Sequence, residues 1–252
     1  MDNRRPRVSM PYVRDLSAYG KNYLSIEYNT PEESARLEML RQIILEHSPG
    51  SILDIGCGPR PSLFLKDFSG QYLGLEPSLP LFEEAKAITT DSIQVVNETL
   101  EEFVSTREPF RCDLCLVSGL LHEVDMPERF LNTLREKIQA KFFYFSVPSS
   151  ASLHRQLGNF LPQDNGDTKC RQETLQQNGP LSPVEFKKLV CDSNFTILRD
   201  GGYFAKLFPS SVNRHLRENG ILTEDLFDAL FQLGQSQPEL SSEIYVIAKP
   251  NV

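Results

Sequence analysis

The stretch Leu53-Asp54-Ile55-Gly56-Cys57-Gly58 constrains the fold of this chain more than any other. An apolar run, Ser51 to Ile55, reads as a strand and ends on two glycines one residue apart. Residues without a Cβ let the backbone turn sharply and approach a ligand closely. In open α/β sheets the ligand sits beyond the carboxyl ends of the strands, where such a turn lies. The rest of the chain fits the same plan, since short apolar runs alternate with amphipathic stretches as in βα units that build a mostly parallel sheet.

Thr30, Pro31 and Glu33 give a capping residue, an N1 proline and a capping-box acid, so a helix is predicted from there to about His47, with Leu37, Leu40, Ile43 and Ile44 on one face and Pro49-Gly50 as its stop. A helix is expected around Ser62 to Phe68, a strand at Tyr72 to Leu75, a short helix at Leu81 to Ala87 and a strand at Ile93 to Val96. Strands follow at Asp113 to Val117 and Lys141 to Val147. Between them Asp125 is the expected cap of a helix carrying Phe130, Leu134 and Ile138. Leu153 to Leu157 reads as a short helix inside a polar lid insertion near 149–181. Ser182-Pro183-Val184-Glu185 opens a helix to about Cys191. The last strands fall near Phe195 to Arg199 or Tyr203 to Leu207, and at Ile244 to Ala248. A helical insertion near 210–235 contains an amphipathic helix, Thr223 to Leu233, closed by Gly234. The expected division is an N-terminal segment, 1–30, over a site in a domain of 31–252.

With 252 residues, 40% of them hydrophobic, the chain can bury the core of one α/β domain. No apolar run approaches the ~20 residues of a bilayer span, and the arginines of Met1 to Arg14 lack an apolar segment behind them, so a cytoplasmic location without a membrane partner is expected. Net charge is −8 and the isoelectric point about 5.1, which argues against a nucleic-acid partner; the Arg4, Arg5, Arg7 cluster reads as a solvated tail. Five cysteines are scattered along the chain. Cys112 and Cys115 form a C-x-x-C inside a strand, with no second pair and no histidine at ligand spacing, so a buried structural role is expected rather than a metal. Nothing in the sequence bears on oligomeric state.

Glu76, at the end of the second strand, sharpens the reading of the glycine turn, because a carboxylate there can accept two hydrogen bonds from a ribose diol. A dinucleotide site has G-x-G-x-x-G, and the third glycine position here is Pro61. Asp54 would sit badly beside a pyrophosphate but suits a ligand with an ammonium group. S-adenosylmethionine offers an ammonium and a ribose diol together.

Asp54-Ile55-Gly56-Cys57-Gly58-Pro59 followed by Glu76 resembles the signature of class I S-adenosylmethionine-dependent methyltransferases, and the likeness extends over roughly Glu32 to Lys249. The resemblance implies a Rossmann-like seven-stranded, mostly parallel sheet with an antiparallel last strand and helices on both faces. It implies that Asp54, Gly56, Cys57 and Gly58 hold the methionine portion, and that Glu76 with Pro77 holds the ribose. Glu98, Thr99 and Leu100 would flank adenine, and Ser118 and Gly119 would lie near the methyl group. Two positions depart from the family pattern: Arg60 stands where a third glycine is frequent, and Thr99 where an adenine-contacting aspartate is usual.

Methyl transfer rests on in-line positioning, with a base needed only where the acceptor must lose a proton. His122 and His154 are the candidate bases; the plainer readings are a backbone-bonded residue at a helix start and a surface histidine. His47 and His215 read as peripheral. Tyr19, Tyr23 and Tyr203, with Tyr12 and Tyr28, are candidates to line the acceptor pocket or face the sulfonium, or else pack a peripheral helix. Arg155 would hold an anionic acceptor, or be a solvated helix arginine. The expected function is methyl transfer to a small molecule at an oxygen nucleophile, such as a sugar or secondary metabolite; the alternative is a cofactor-binding regulatory protein without transferase activity.

Overall fold

Strand β1 (Ser51–Ile55) lies near the middle of a seven-stranded sheet. Its companions are β2 (Gln71–Leu75), β3 (Ile93–Val96), β4 (Phe110–Ser118), β5 (Ile138–Pro148), β6 (Phe195–Tyr203) and β7 (Glu243–Pro250), in the order β3-β2-β1-β4-β5-β7-β6. The computed structural model describes residues 15–26, 30–158, 160 and 179–251. Six strands run parallel, and β7 enters antiparallel between β5 and β6. This is the expected Rossmann-like sheet with its antiparallel last strand. The chain moves outward from β1 through β2 to β3, then returns to place β4 on the other flank of β1. The resulting switch point is where open α/β sheets form a crevice at their carboxyl ends.

Side chains alternate across each strand, so the sheet builds two cores. On one face Leu53, Ile55, Val117, Phe143, Phe145 and Val246 pack against α4 (Leu100–Ser105), α5 (Pro127–Lys137) and α7 (Pro183–Asp192). On the other, Ile52, Leu114, Leu116, Tyr144 and Ile247 meet Met39, Leu40 and Ile43 of α2 (Pro31–His47), and Phe227 and Phe231 of α9 (Glu224–Ser236). The remaining helices are α1 (Leu16–Ile26), α3 (Leu79–Ala85), α6 (Leu153–Gly158) and α8 (Ser210–Glu218). Capping chemistry sets several starts: Thr30 accepts from the Glu33 amide, and Ser182 with Glu185 forms a complete capping box.

Several predicted elements are corrected. The helix expected over Ser62 to Phe68 is one 3₁₀ turn, Pro61–Leu63, because no side chain caps its start and the chain must dive at once to bury Phe64 and Leu65. The cap of α5 is Met126 rather than Asp125, since Pro127 takes the first helical position. Ile138 does not extend that helix; it begins β5 opposite Phe110. The alternative strands after Asn194 are one strand, β6, with a register shift between Ile197 and Arg199. Gly234 does not close α9 but lies inside it, where an added Cβ would stand 2.3 Å from the Phe204 amide nitrogen. That glycine serves close approach of helix to strand. Helix α4, absent from the sequence reading, has a full Thr99–Glu102 capping box.

Candidate functional site

The glycine turn leaves β1 with both glycines in the left-handed region, Gly56 at φ 71° and Gly58 at φ 68°. The amides of Gly56 and Cys57 both donate to the Leu75 carbonyl, at 2.8 and 3.1 Å, which pins the turn against the end of β2. An added Cβ on Gly56 would press on Leu120, whereas one on Gly58 would meet nothing within 4 Å among the described residues. Gly58 therefore borders open space.

Glu76 closes the other side of this space. One carboxylate oxygen accepts from the Gly58 amide and the other from the Ser78 amide, each at 2.9 Å. Each oxygen keeps a second lone-pair direction for a ligand. Asn97 donates to the carbonyls of Glu76 and Pro77, at 2.8 and 3.1 Å, so the loops after β2 and β3 are tied together. Asp54, buried at the end of β1, accepts from the Tyr72 hydroxyl at 2.8 Å. Burial pushes both carboxyls up to about 7; the Tyr72 bond opposes this at Asp54, and the two amide bonds oppose it at Glu76. The two groups thus make a buried acidic pair with no basic side chain of the described residues on either carboxylate. Burial, with the neighbouring Asp54 and Glu76 charges, also holds the Cys57 thiol protonated.

The residues expected around adenine have local partners. The Thr99 hydroxyl caps α4, Glu98 forms an ion pair with Arg107, and Leu100 is buried in the core. Pro77 is partly buried beside them.

The turn after β4 forms the far side. Ser118 and Ser146 share a hydroxyl contact at 3.1 Å, and Gly119 (φ 64°) donates its amide to the Ser146 carbonyl at 2.9 Å. The Arg36 guanidinium packs against Gly119, 3.0 Å from where a Cβ would stand, and binds Glu243 at 2.7 Å. Glu243 begins β7 opposite Pro148 and Tyr203. His122 and Glu123 follow in the same turn, both buried, with Nε2 and Oε1 3.7 Å apart.

Helix α1 lies over this crevice. The Ser78 hydroxyl donates to the Leu16 carbonyl at 2.8 Å, and Gly20 packs directly on Ser78 and Pro80. Burial first, then the Glu123 carboxylate, holds the Tyr19 hydroxyl protonated; Tyr23, pushed up to about 12 by burial, senses Arg36, Glu33 and Glu123. The two rings stand 5.9 Å apart. Tyr12, Tyr28, Arg4, Arg5, Arg7, Cys170 and most of the lid lie outside the described residues.

Tyr203 is fully buried, its hydroxyl 3.5 Å from Glu243, so it contacts the Arg36–Glu243 pair rather than an open surface. His154, on α6, has its pKa pushed down to about 2 by burial and by Lys206 and Arg155. Of the groups missed in the sequence, Arg36, Glu243 and Tyr72 stand out; all three are distant in sequence from the turns they support. Glu33, read only as a capping acid, grips Arg60 through both oxygens and ties α2 to the segment after the glycine turn. Cys112 and Cys115 are free and buried, and burial pushes the Cys112 thiol up to about 12. Among the described residues no three metal-ligating side chains cluster, and no helix is long and apolar enough to cross a membrane.

No family model matches this sequence, and no curated protein matches it. Solved structures do. A SAM-dependent methyltransferase from Archaeoglobus fulgidus superposes with a TM-score of 0.58 at 18% identity, covering 92% of this chain and 99% of its own. A possible histamine N-methyltransferase from Thermotoga maritima gives 0.58 at 15% identity, over 91% and 93%. The plantazolicin methyltransferase BamL, in complex with a triazolic desmethylPZN analog and SAH, gives 0.58 at 13% identity, over 94% and 96%. At these identities the likeness shows the fold, that of class I methyltransferases.

Proposed function

We propose that this chain binds S-adenosylmethionine between the glycine turn and Glu76, and transfers its methyl group to a small molecule, at an oxygen nucleophile. The observation that carries the reading is the buried acidic pair beside the open flank of Gly58: Asp54 and Glu76 are both raised to about 7, with no cation of the described residues on either. Such a pair is costly alone and is relieved by a ligand with positive charge. S-adenosylmethionine carries an ammonium and a sulfonium, so the residues present fit the group. Asp54, Gly56, Cys57 and Gly58 would hold the methionine end, Glu76 and Pro77 the ribose, and the segment Glu98 to Leu100 the adenine. Because Thr99 and Glu98 are already engaged locally, adenine would be held there by backbone and by shape.

When bound, the cofactor supplies an electrophilic methyl. The chain's own part is to position and to handle a proton. Ser118 and Gly119 would border the methyl, with Tyr19, Tyr23 and Arg155 around the acceptor and Tyr203 supporting the Arg36–Glu243 pair from behind. His122 is the base we assign, with the Glu123 carboxylate 3.7 Å from its Nε2. His154 serves this role poorly, because an imidazole with a pKa near 2 does not retain a proton. Two of the similar proteins agree with a small acceptor, one holding a desmethylPZN analog and one described as a possible histamine N-methyltransferase.

Calorimetric titration with S-adenosylmethionine, S-adenosylhomocysteine and NAD tests the reading, repeated with Glu76→Ala. Both methionine nucleosides should bind and NAD should not, and the substitution should weaken binding about ten-fold, or about 1.4 kcal/mol. No binding, or no effect of the substitution, would sink the assignment.

A further inference from the structure

Three cations gather where α6 and the segment after β6 meet the carboxyl edge of the sheet, and two of them have a carboxylate. Arg36 holds Glu243 at 2.7 Å, and Lys206 holds Glu32 at 2.8 Å. The third is Arg155. Its Nε donates to the Ser149 carbonyl at 3.2 Å, which fixes the guanidinium over the end of β5. Among the described residues no carboxylate stands within ion-pair distance of it; Glu243, the nearest acid it senses, is already taken by Arg36. The neighbouring His154 adds no negative charge. Burial first, and then Lys206 and Arg155, keep it neutral.

This is unexpected in a molecule of net charge −8. Half-buried cations without counter-charge are disfavoured, and burial here lowers the Arg155 pKa. A guanidinium tethered through Nε still presents its terminal nitrogens as a planar fork, the shape that a carboxylate meets in a two-point contact. The site also lies beside the turn where the methyl would be delivered, since Gly119 packs on Arg36, Arg36 binds Glu243, and Glu243 lies opposite Pro148 in the sheet.

We propose that the methyl acceptor is an anionic small molecule whose carboxylate is bound by Arg155. The inference rests on the methyltransferase reading and narrows it from any small molecule to an acid. A phosphate would offer the same charge, so the test separates the two.

The full-length protein is saturated with S-adenosylhomocysteine and titrated with benzoate, phenyl phosphate and the neutral isostere benzamide, followed by thermal shift and calorimetry. Benzoate should bind, and benzamide should bind about ten-fold more weakly or not at all. Arg155→Gln should abolish the preference while S-adenosylhomocysteine affinity stays as in the wild type, and Arg155→Lys should keep part of it. Phenyl phosphate binding more tightly than benzoate would overturn the carboxylate assignment in favour of a phosphorylated acceptor. Benzamide equal to benzoate, an unaltered Arg155→Gln variant, or no anion bound by the loaded wild type would overturn the proposal. If S-adenosylhomocysteine itself fails to bind, the methyltransferase reading falls first, a result that the opening titration identifies separately.

Discussion

Tyr72 reaches Asp54 because Gly74, its neighbour two residues along β2 on the same face, has no side chain. A Cβ there would stand 2.9 Å from the Cys57 sulfur and 3.1 Å from the tyrosine ring. The hydroxyl bond is the force that opposes burial at Asp54. Asp54 and Glu76 have folded-state pKa values raised above those of an unfolded chain. Their stabilising contribution is therefore full below the ordinary carboxylate range and is lost as pH rises through about 7. A cationic ligand prefers the ionised pair, so its affinity runs the other way and rises with pH. The thermal shift given by S-adenosylmethionine is expected to be larger near about pH 8 than about pH 6, and to grow more than that given by the uncharged thioether S-adenosylhomocysteine. Tyr72→Phe deletes one oxygen. It should move the midpoint of this pH dependence upward and weaken S-adenosylmethionine binding several-fold near neutrality, with much of the deficit recovered at higher pH. A lower melting temperature with an unmoved midpoint would mean that Tyr72 only packs.

Among the elements, α1 adds no described residue to either core and lies over the site. Its seat depends on Gly20, where an added Cβ would stand 2.1 Å from the Ser78 hydroxyl oxygen that bonds Leu16. Gly20→Ala should break that bond and lift the helix, raising the cofactor dissociation rate about five- to ten-fold while the melting temperature of the unliganded protein changes little, since α1 adds almost nothing to either core. Equal dissociation rates for variant and wild type would show that α1 is no cover. Most strands, and the helices opened by Ser/Thr-Pro-x-Glu, were legible in the sequence because apolar runs and such starts are local signals, whereas α4, capped by Thr99 and Glu102 without a proline, was not. Local signals also misled. Ser62 to Phe68 read as a helix, yet a single turn buries Phe64 and Leu65, and Gly234 read as a stop when its role is close contact at the end of β6. The glycine turn and Glu76 were legible as a pair because their spacing follows from adjacent strands. The Arg36–Glu243 pair was not, since 207 positions separate its members and only the insertion of β7 beside β5 brings them together.

At the scale of the molecule, charge is partitioned. The net charge is acidic, the expected cofactor crevice holds Asp54, Glu76 and Glu123, and Arg155 and Lys206 stand together beside His154. A chain with this balance offers a poor surface for the counterion release that drives binding to nucleic acid, so retention on an immobilised polyanion at about 0.15 M salt would count against a small acceptor. The same partition acts on the approach of ligands. An acidic molecule with an acidic crevice attracts a net cation at long range, and salt screens that attraction over roughly 10 Å at about 0.1 M. The association rate of S-adenosylmethionine should therefore fall several-fold between about 0.02 and about 0.5 M salt, while that of the neutral S-adenosylhomocysteine hardly changes. The chain has no tryptophan, so stopped-flow tyrosine emission reads a signal in which Tyr19 and Tyr23 over the crevice contribute directly. Parallel salt slopes for the two nucleosides would mean that the acidic crevice does not steer the net positive charge that the sulfonium adds.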